Sequence, residues 1–341
     1  MITRRGLGLG TAGLALAARP RPARAAGQVV VGTWGGDYQT LQQQYVVDPI
    51  MAPAGVAVVF DTANDSVRKT KLMAERRLPR GAADVQALTA SGSFEMFRNG
   101  AIEALDFSRI PNAAHILPEL RTAYSVPHIY TGRVILYNPK LVARKPGSYA
   151  DLWDPANAGK VGVIDIQYQT TIESAAMVAG GGLHDYEPGK AMLLELKKMG
   201  VKIYPTNEAM AQALKTEEVG LCIMWRARGV QWRNAGIPVE IAYPSEGLVL
   251  YVTEMAIAKN ARNKDAAYAY LDAVLSPGPQ AAFAKDFGYT PTVTGVALPP
   301  GVAEQVDFPP DLQKRFLVQD QEYLAQNDPA LQEWWNKAFK G

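Results

Sequence analysis

Few side chains in this sequence stand where covalent or metal chemistry could use them. The one cysteine, Cys222, sits in an apolar run from Gly220 to Trp225, where a buried inert thiol is expected rather than a nucleophile. The three histidines, His115, His128 and His184, are scattered, so neither a thiolate nor a histidine-based metal site is expected. The sequence carries no Gly-x-Ser-x-Gly elbow, His-Glu-x-x-His pair, Walker A loop or post-strand Gly-x-Gly-x-x-Gly. His128, behind Pro127, reads as a structural or ligand-contact group rather than a general base. Gly180-Gly181-Gly182 reads as a helix stop, not a phosphate cradle. Carboxylates abound, but none forms a pair whose spacing forces mutual pKa shifts. What remains is non-covalent: aromatic faces, which receive alkyl chains and cations, and guanidinium forks, which receive carboxylates. No enzymatic activity and no cofactor are expected.

The elements that must position these groups alternate. Strands are expected over residues 28–33, 56–60 and 83–88, with helices over 66–77 and 94–99 between or after them. A second series follows: strands at 134–137, 161–166 and 219–224, helices at 171–179, 190–199 and 208–216. Residues 248–258 read as one long strand and 266–275 as a helix. The Pro-rich 299–310 segment reads as a loop, and the chain is expected to be helical from Leu312 to its end. Strand–helix alternation on this scale argues for an α/β protein with largely parallel sheets.

With 341 residues, 48% apolar and 20% charged, the chain suits two lobes with real cores and excludes disorder or a polytopic membrane protein. Lys plus Arg number 35 against 33 Asp plus Glu, with no polybasic run, so nucleic acid is not an expected partner. Arg4 and Arg5 precede an apolar run at residues 6–18, too short to span a bilayer, and Ala23-Arg24-Ala25 has the spacing of a cleavage site. The Thr3-Arg4-Arg5-Gly6-Leu7 start resembles a twin-arginine export signal, without the usual downstream Phe and Lys. Residues 1–25 are therefore expected to be removed, leaving a soluble, unanchored periplasmic monomer. Cleavage would take five arginines and no acid, so the formal charge of +2 would become −3.

Five stretches carry a more specific likeness: Gly32-Thr33-Trp34-Gly35-Gly36, the run from Tyr124 to Gly132, Tyr149-Ala150-Asp151-Leu152-Trp153-Asp154-Pro155, the run from Glu218 to Trp225, and Gly288-Tyr289-Thr290-Pro291-Thr292. In this order they resemble the periplasmic solute-binding proteins of ABC importers, in particular the spermidine/putrescine-binding group. The resemblance covers nearly the whole chain after the export signal. It implies two α/β lobes, each a mixed or parallel sheet flanked by helices, with a ligand cleft between them and a membrane permease as partner. Lobe 1 would be residues 28–132 plus 252–297, and lobe 2 residues 133–251 plus 298–341.

By motif position, the resemblance places Trp34, Trp225, Tyr251 and Tyr289 among the aromatic or cleft residues, and Asp165 where polyamine binders carry acid. Gln321 falls near a further cleft position. The departures are informative. Thr253 stands where polyamine binders have an aspartate, and Ser91-Gly92-Ser93 replaces their paired tyrosines. Arg226 and Arg228 follow Trp225, and Arg133 stands at the first crossing between lobes. Arginines repel a polycation and hold a carboxylate. The expected ligand is a small carboxylate or amino-carboxylate held by arginine at one end and by Asp165 with Trp34 at the other. A polyamine is the alternative, and ferric iron lacks the adjacent tyrosines it would want.

Overall fold

The computed structural model describes residues 27–341; the expected export signal lies outside the described residues. Ten strands run β1 (Gly27–Thr33), β2 (Val56–Thr62), β3 (Val85–Thr89), β4 (Val126–Tyr137), β5 (Val161–Ile164), β6 (Lys202–Tyr204), β7 (Leu221–Trp225), β8 (Glu240–Ala242), β9 (Leu248–Ile257) and β10 (Phe316–Leu317). The helices begin with α1 (Gly36–Gln42), α2 (Asp65–Glu75), α3 (Ala90–Arg98), α4 (Tyr168–Val178), α5 (Glu187–Lys198) and α6 (Asn207–Lys215). They continue with α7 (Arg226–Asn234), α8 (Lys264–Val274), α9 (Pro277–Phe287), α10 (Val302–Val306), α11 (Pro310–Gln313) and α12 (Gln321–Trp334).

The strands join in the order β2-β1-β3-β9-β4-β7-β5-β6, with β8 on β4 and β10 on β9. β1 is parallel to β2 and β3, and β5 is parallel to β6 and β7. Between these parallel sets run the two long strands β4 and β9, antiparallel to their neighbours. β4 changes partner within its length: Val126–Gly132 pairs with β9, and Arg133–Tyr137 pairs with β7. The switch falls at Gly132, where a β-carbon would stand 3.3 Å from the Phe308 ring and would press it back by a few tenths of an ångström.

The core divides at the same place. Val29, Val31, Val85, Met255, Tyr270 and Phe283 belong to one buried cluster. Ile135, Tyr149, Ile172, Leu193 and Trp335 belong to another, and Val134, Met224, Leu248 and Phe308 to a third beside it. Residues from the middle and the far end of the chain thus share each core, as a chain that crosses between lobes requires. No helix among the described residues is long and apolar enough to cross a membrane.

Strands β6 and β8 and helices α7 and α9 have no counterpart among the expected elements, and four further elements differ from theirs. β4 begins at Val126 rather than 134, because Pro127 and Gly132 break the apolar run in sequence while a register shift between Pro127 and Ile129 absorbs the proline in space. The expected terminal helix from Leu312 is interrupted by β10, whose Phe316 and Leu317 pair with Leu248 and Val249. The Pro-rich 299–310 segment contains the short α10. Helix α3 starts at Ala90, since the Thr89 side chain accepts from the Gly92 N–H and caps it early.

Candidate ligand cleft

Strand ends and the helices that follow them deliver the side chains of the cleft. β1 ends at Thr33 and hands Trp34 into the turn before α1. The Trp34 ring meets Tyr38 edge-on at 5.5 Å, and the Arg68 guanidinium lies 4.6 Å from its centre. Arg68 comes from the first turns of α2, which Asn64 caps by accepting from the Val67 N–H at 3.1 Å. Its Nε donates to the Ala63 carbonyl at 2.9 Å, and its Nη1 to the Gly32 carbonyl, Gln86 Oε1 and the Ala87 carbonyl. Its Nη2 has no hydrogen-bond partner among the described residues. Asp65, one turn earlier, stands 3.7 Å away, and its Oδ1 is likewise buried without a partner.

The floor comes from the crossing strands. Tyr251, on β9, stacks on Trp225 at the end of β7, with centroids 4.6 Å apart and planes at 27°. Thr253 donates to the Tyr251 hydroxyl at 3.3 Å and lies opposite Thr89 in the β3–β9 ladder. Thr89 in turn bonds Ser91 at 3.2 Å, which sets Ser91 beside this floor. Gly288, left-handed at φ 73°, ends α9 and turns the chain so that Tyr289 reaches 6.4 Å from Tyr251. Burial pushes the Tyr251 phenol up; the Thr253 bond lowers it, and the charges of Asp65, Arg228 and Arg68 all reach it. The sequence-expected Trp34, Trp225, Tyr251, Thr253, Tyr289, Ser91 and Arg228 therefore converge on one region.

Three expected residues do not join it as free ligand contacts. Arg226 and Arg228 open α7, and two residues on a helix are separated by about 200°, so they leave on opposite faces. Arg228 reaches over Phe287 at 5.4 Å and donates to Gln231 at 3.1 Å; Arg226 turns away, lies 4.7 Å over Phe308 and donates to the Tyr243 hydroxyl at 3.1 Å. Arg133 is fully buried, with its Nη2 3.1 Å from Glu173 and its Nη1 3.3 Å from Ser174, so its charge is answered inside the protein. It still approaches the cleft indirectly, 5.7 Å from the Trp225 ring centre. Asp165 lies in a turn beyond β5, where its two oxygens accept from Trp335 Nε1 and Lys340 Nζ at 2.7 Å each.

Residues that sequence reasoning missed take their place. Neither Asp65 nor Arg68 is singled out in the sequence, where Asp65 precedes the helix expected over 66–77 and Arg68 is one of its basic residues. The opposite wall is α12, packed against α3 and joined to it by the Arg98–Glu322 ion pair. Lys69 on α2 bonds Glu95 on α3 at 2.7 Å, while Asp328 on α12 accepts from Tyr168 at 2.5 Å. Burial pushes the Asp65 carboxyl up, against the pull of Lys69 and Arg68, and the charges of Glu95 and Asp328 push the same way as burial. Beside Arg228 a groove of about 660 Å³ runs between α1 and α9 on one side and α6 and α7 on the other. Cys222 is buried and its thiol is pushed up to about 12, which leaves it unreactive.

The profile of the family described as "Bacterial extracellular solute-binding protein" matches residues 46–310 of this chain. The chain belongs to that family. Among relatives of this solute-binding protein, the spermidine/putrescine-binding periplasmic protein of Salmonella typhimurium is 26% identical over 300 residues, covering 84% of this chain and 85% of the relative. The gamma-aminobutyric acid-binding protein of Pseudomonas aeruginosa is 24% identical over 338 residues, covering 95% and 94%. A crystal structure of an ABC transporter from Clostridium perfringens superposes with a TM-score of 0.77 at 25% identity, covering 91% of this chain and 99% of that one. The fold is the two-lobed fold of periplasmic binding proteins, as the sequence implied, and the chain is a binding protein rather than an enzyme.

Proposed function

We propose that this solute-binding protein serves an ABC importer from the periplasm and that its ligand is a small amino-carboxylate. One observation carries the ligand class: aromatic faces around the cleft already hold arginines of the protein. Arg68 lies on Trp34, Arg133 behind Trp225 and Arg228 on Phe287. Trp225 is also stacked on Tyr251. A polyamine draws its affinity from such faces and would meet guanidinium charge instead. The carboxylate of an amino acid would find that same charge favourable, and the acids Asp65, Glu95 and Asp328 give its ammonium a counter-charge.

Those same acids are the specific reason to keep a diamine as the second reading, in agreement with what the Salmonella relative's name says it binds. A thermal-shift screen separates the two. Ligand at a hundredfold excess over Kd stabilises by about 2.7 kcal/mol. Stabilisation by 4-aminobutyrate and related amino acids but not by putrescine supports the first reading; the reverse result discards it.

In the proposed cycle, lobe 1 (residues 28–132 and 252–297) and lobe 2 (133–251 and 298–341) close on the ligand about the β4 and β9 crossings, and the closed monomer presents it to a membrane permease. Differential contact of the ligand with both lobes drives closure. Export through the twin-arginine route with loss of residues 1–25 belongs to the same reading.

A further inference from the structure

We infer that Asp65 and Arg68, one helical turn apart on α2, form the subsite that grips the charged head of a zwitterion; this rests on the amino-carboxylate reading above. Arg68 is 2% exposed, and three of its donor contacts go to backbone carbonyls of Gly32, Ala63 and Ala87. Those carbonyls, with Gln86, fix the guanidinium against the Trp34 face and leave Nη2 as the one arm without a partner. Asp65 Oδ1 is also without a partner, and at 3.7 Å from Nη2 it is too far for a hydrogen bond. Two buried charged atoms, adjacent and both unsatisfied, are costly unless something completes them.

The chemistry of what completes them follows from the two atoms themselves: Nη2 lacks an acceptor and Oδ1 lacks a donor. Lys69 is paired with Glu95 at 2.7 Å, and Asp328 accepts from Tyr168 and Gln169, so neither reaches these two atoms. A diamine placed here adds positive charge beside Arg68 and Lys69. A dicarboxylate adds negative charge beside Asp65, Glu95 and Asp328. A zwitterion adds no net charge, offering its carboxylate to Nη2 and its ammonium to Oδ1.

The test is isothermal titration of the purified protein and its Asp65→Asn and Arg68→Lys variants with 4-aminobutyrate, β-alanine, butyrate, butylamine, putrescine and succinate. The wild type is expected to bind a zwitterion at least tenfold more tightly than the matching acid or amine. Asp65→Asn should erase the preference over butyrate, and Arg68→Lys the preference over butylamine, whereas general loosening of the fold would weaken all probes together. Preference of the wild type for putrescine or succinate overturns the amino-carboxylate reading itself. Tight zwitterion binding with both preferences intact in the variants overturns only the subsite. Failure of every zwitterion to bind overturns the proposal. Should Arg68→Lys not fold, Asp65→Asn decides alone, since its side chain lies at the edge of the buried region.

Discussion

Arg68 and Arg133 each set a guanidinium by a tryptophan at the edge of the cleft, and the two are finished differently. Arg133 has a counter-charge at hydrogen-bond distance: Glu173, itself fully buried, pairs with its Nη2 at 3.1 Å and is braced by Gln319 at 2.6 Å, although Arg133 Nε and Glu173 Oε1 have no partner among the described residues. Arg68 is pinned by neutral carbonyls and stands 3.7 Å from the Asp65 carboxylate one turn earlier on its helix. A buried arginine hydrogen-bonded to its own carboxylate is architecture; one that stops short of any carboxylate is arranged for something that arrives later. Residue type alone does not make an arginine a ligand contact. What decides is whether the fold has already answered it.

The largest effect should come from breaking the finished pair. Glu173→Ala leaves Arg133 buried without a counter-charge and should cost about 3–5 kcal/mol in denaturant unfolding. Glu254 sharpens the contrast, since it is a buried carboxyl answered by hydroxyls alone, with Ser125 donating at 2.6 Å and burial raising it to about 7 from 4.5. Between those values the native state binds more protons than the unfolded one, so its contribution to stability is full below pH 4.5 and lost as pH rises through 7. Glu254→Gln should therefore stabilise the protein by about 3 kcal/mol at pH 8 and by far less at pH 4.5, as read from melting curves at each pH.

On the unfinished side, Asp65→Asn should barely change unfolding while weakening zwitterion binding by at least tenfold, about 1.4 kcal/mol. Arg226→Ala should leave the dissociation constant unchanged and cost about 1 kcal/mol of stability through lost contact with Phe308 and Tyr243. The smallest effect belongs to the half-exposed Arg98–Glu322 pair between α3 and α12, whose removal should leave the melting temperature unchanged.

Much of the fold was legible in the chain. Alternating apolar runs gave the parallel strands and their helices, and the long 248–258 run gave β9, because strand periodicity and breakers are local signals. β4 was half hidden, since Pro127 and Gly132 are breakers by type and crossing residues by position. The aromatic floor was legible through its resemblance to a family. The arginines were not, because a charged side chain is directed by helix phase: one boundary at Arg226 sends it and Arg228 to opposite faces. Asp65 and Arg68 carry no motif at all; their role comes from carbonyls of β1 and β3 brought beside α2 by the sheet.

The most direct test of the central claim is a crystal structure of the protein grown with an amino-carboxylate that it binds in calorimetry. The account places the ligand's carboxylate within hydrogen-bond distance of Arg68 Nη2 and its ammonium against Asp65 Oδ1. A ligand held by Arg226 or Asp165, or an ammonium lying on the Trp34 face with Arg68 displaced, would contradict it.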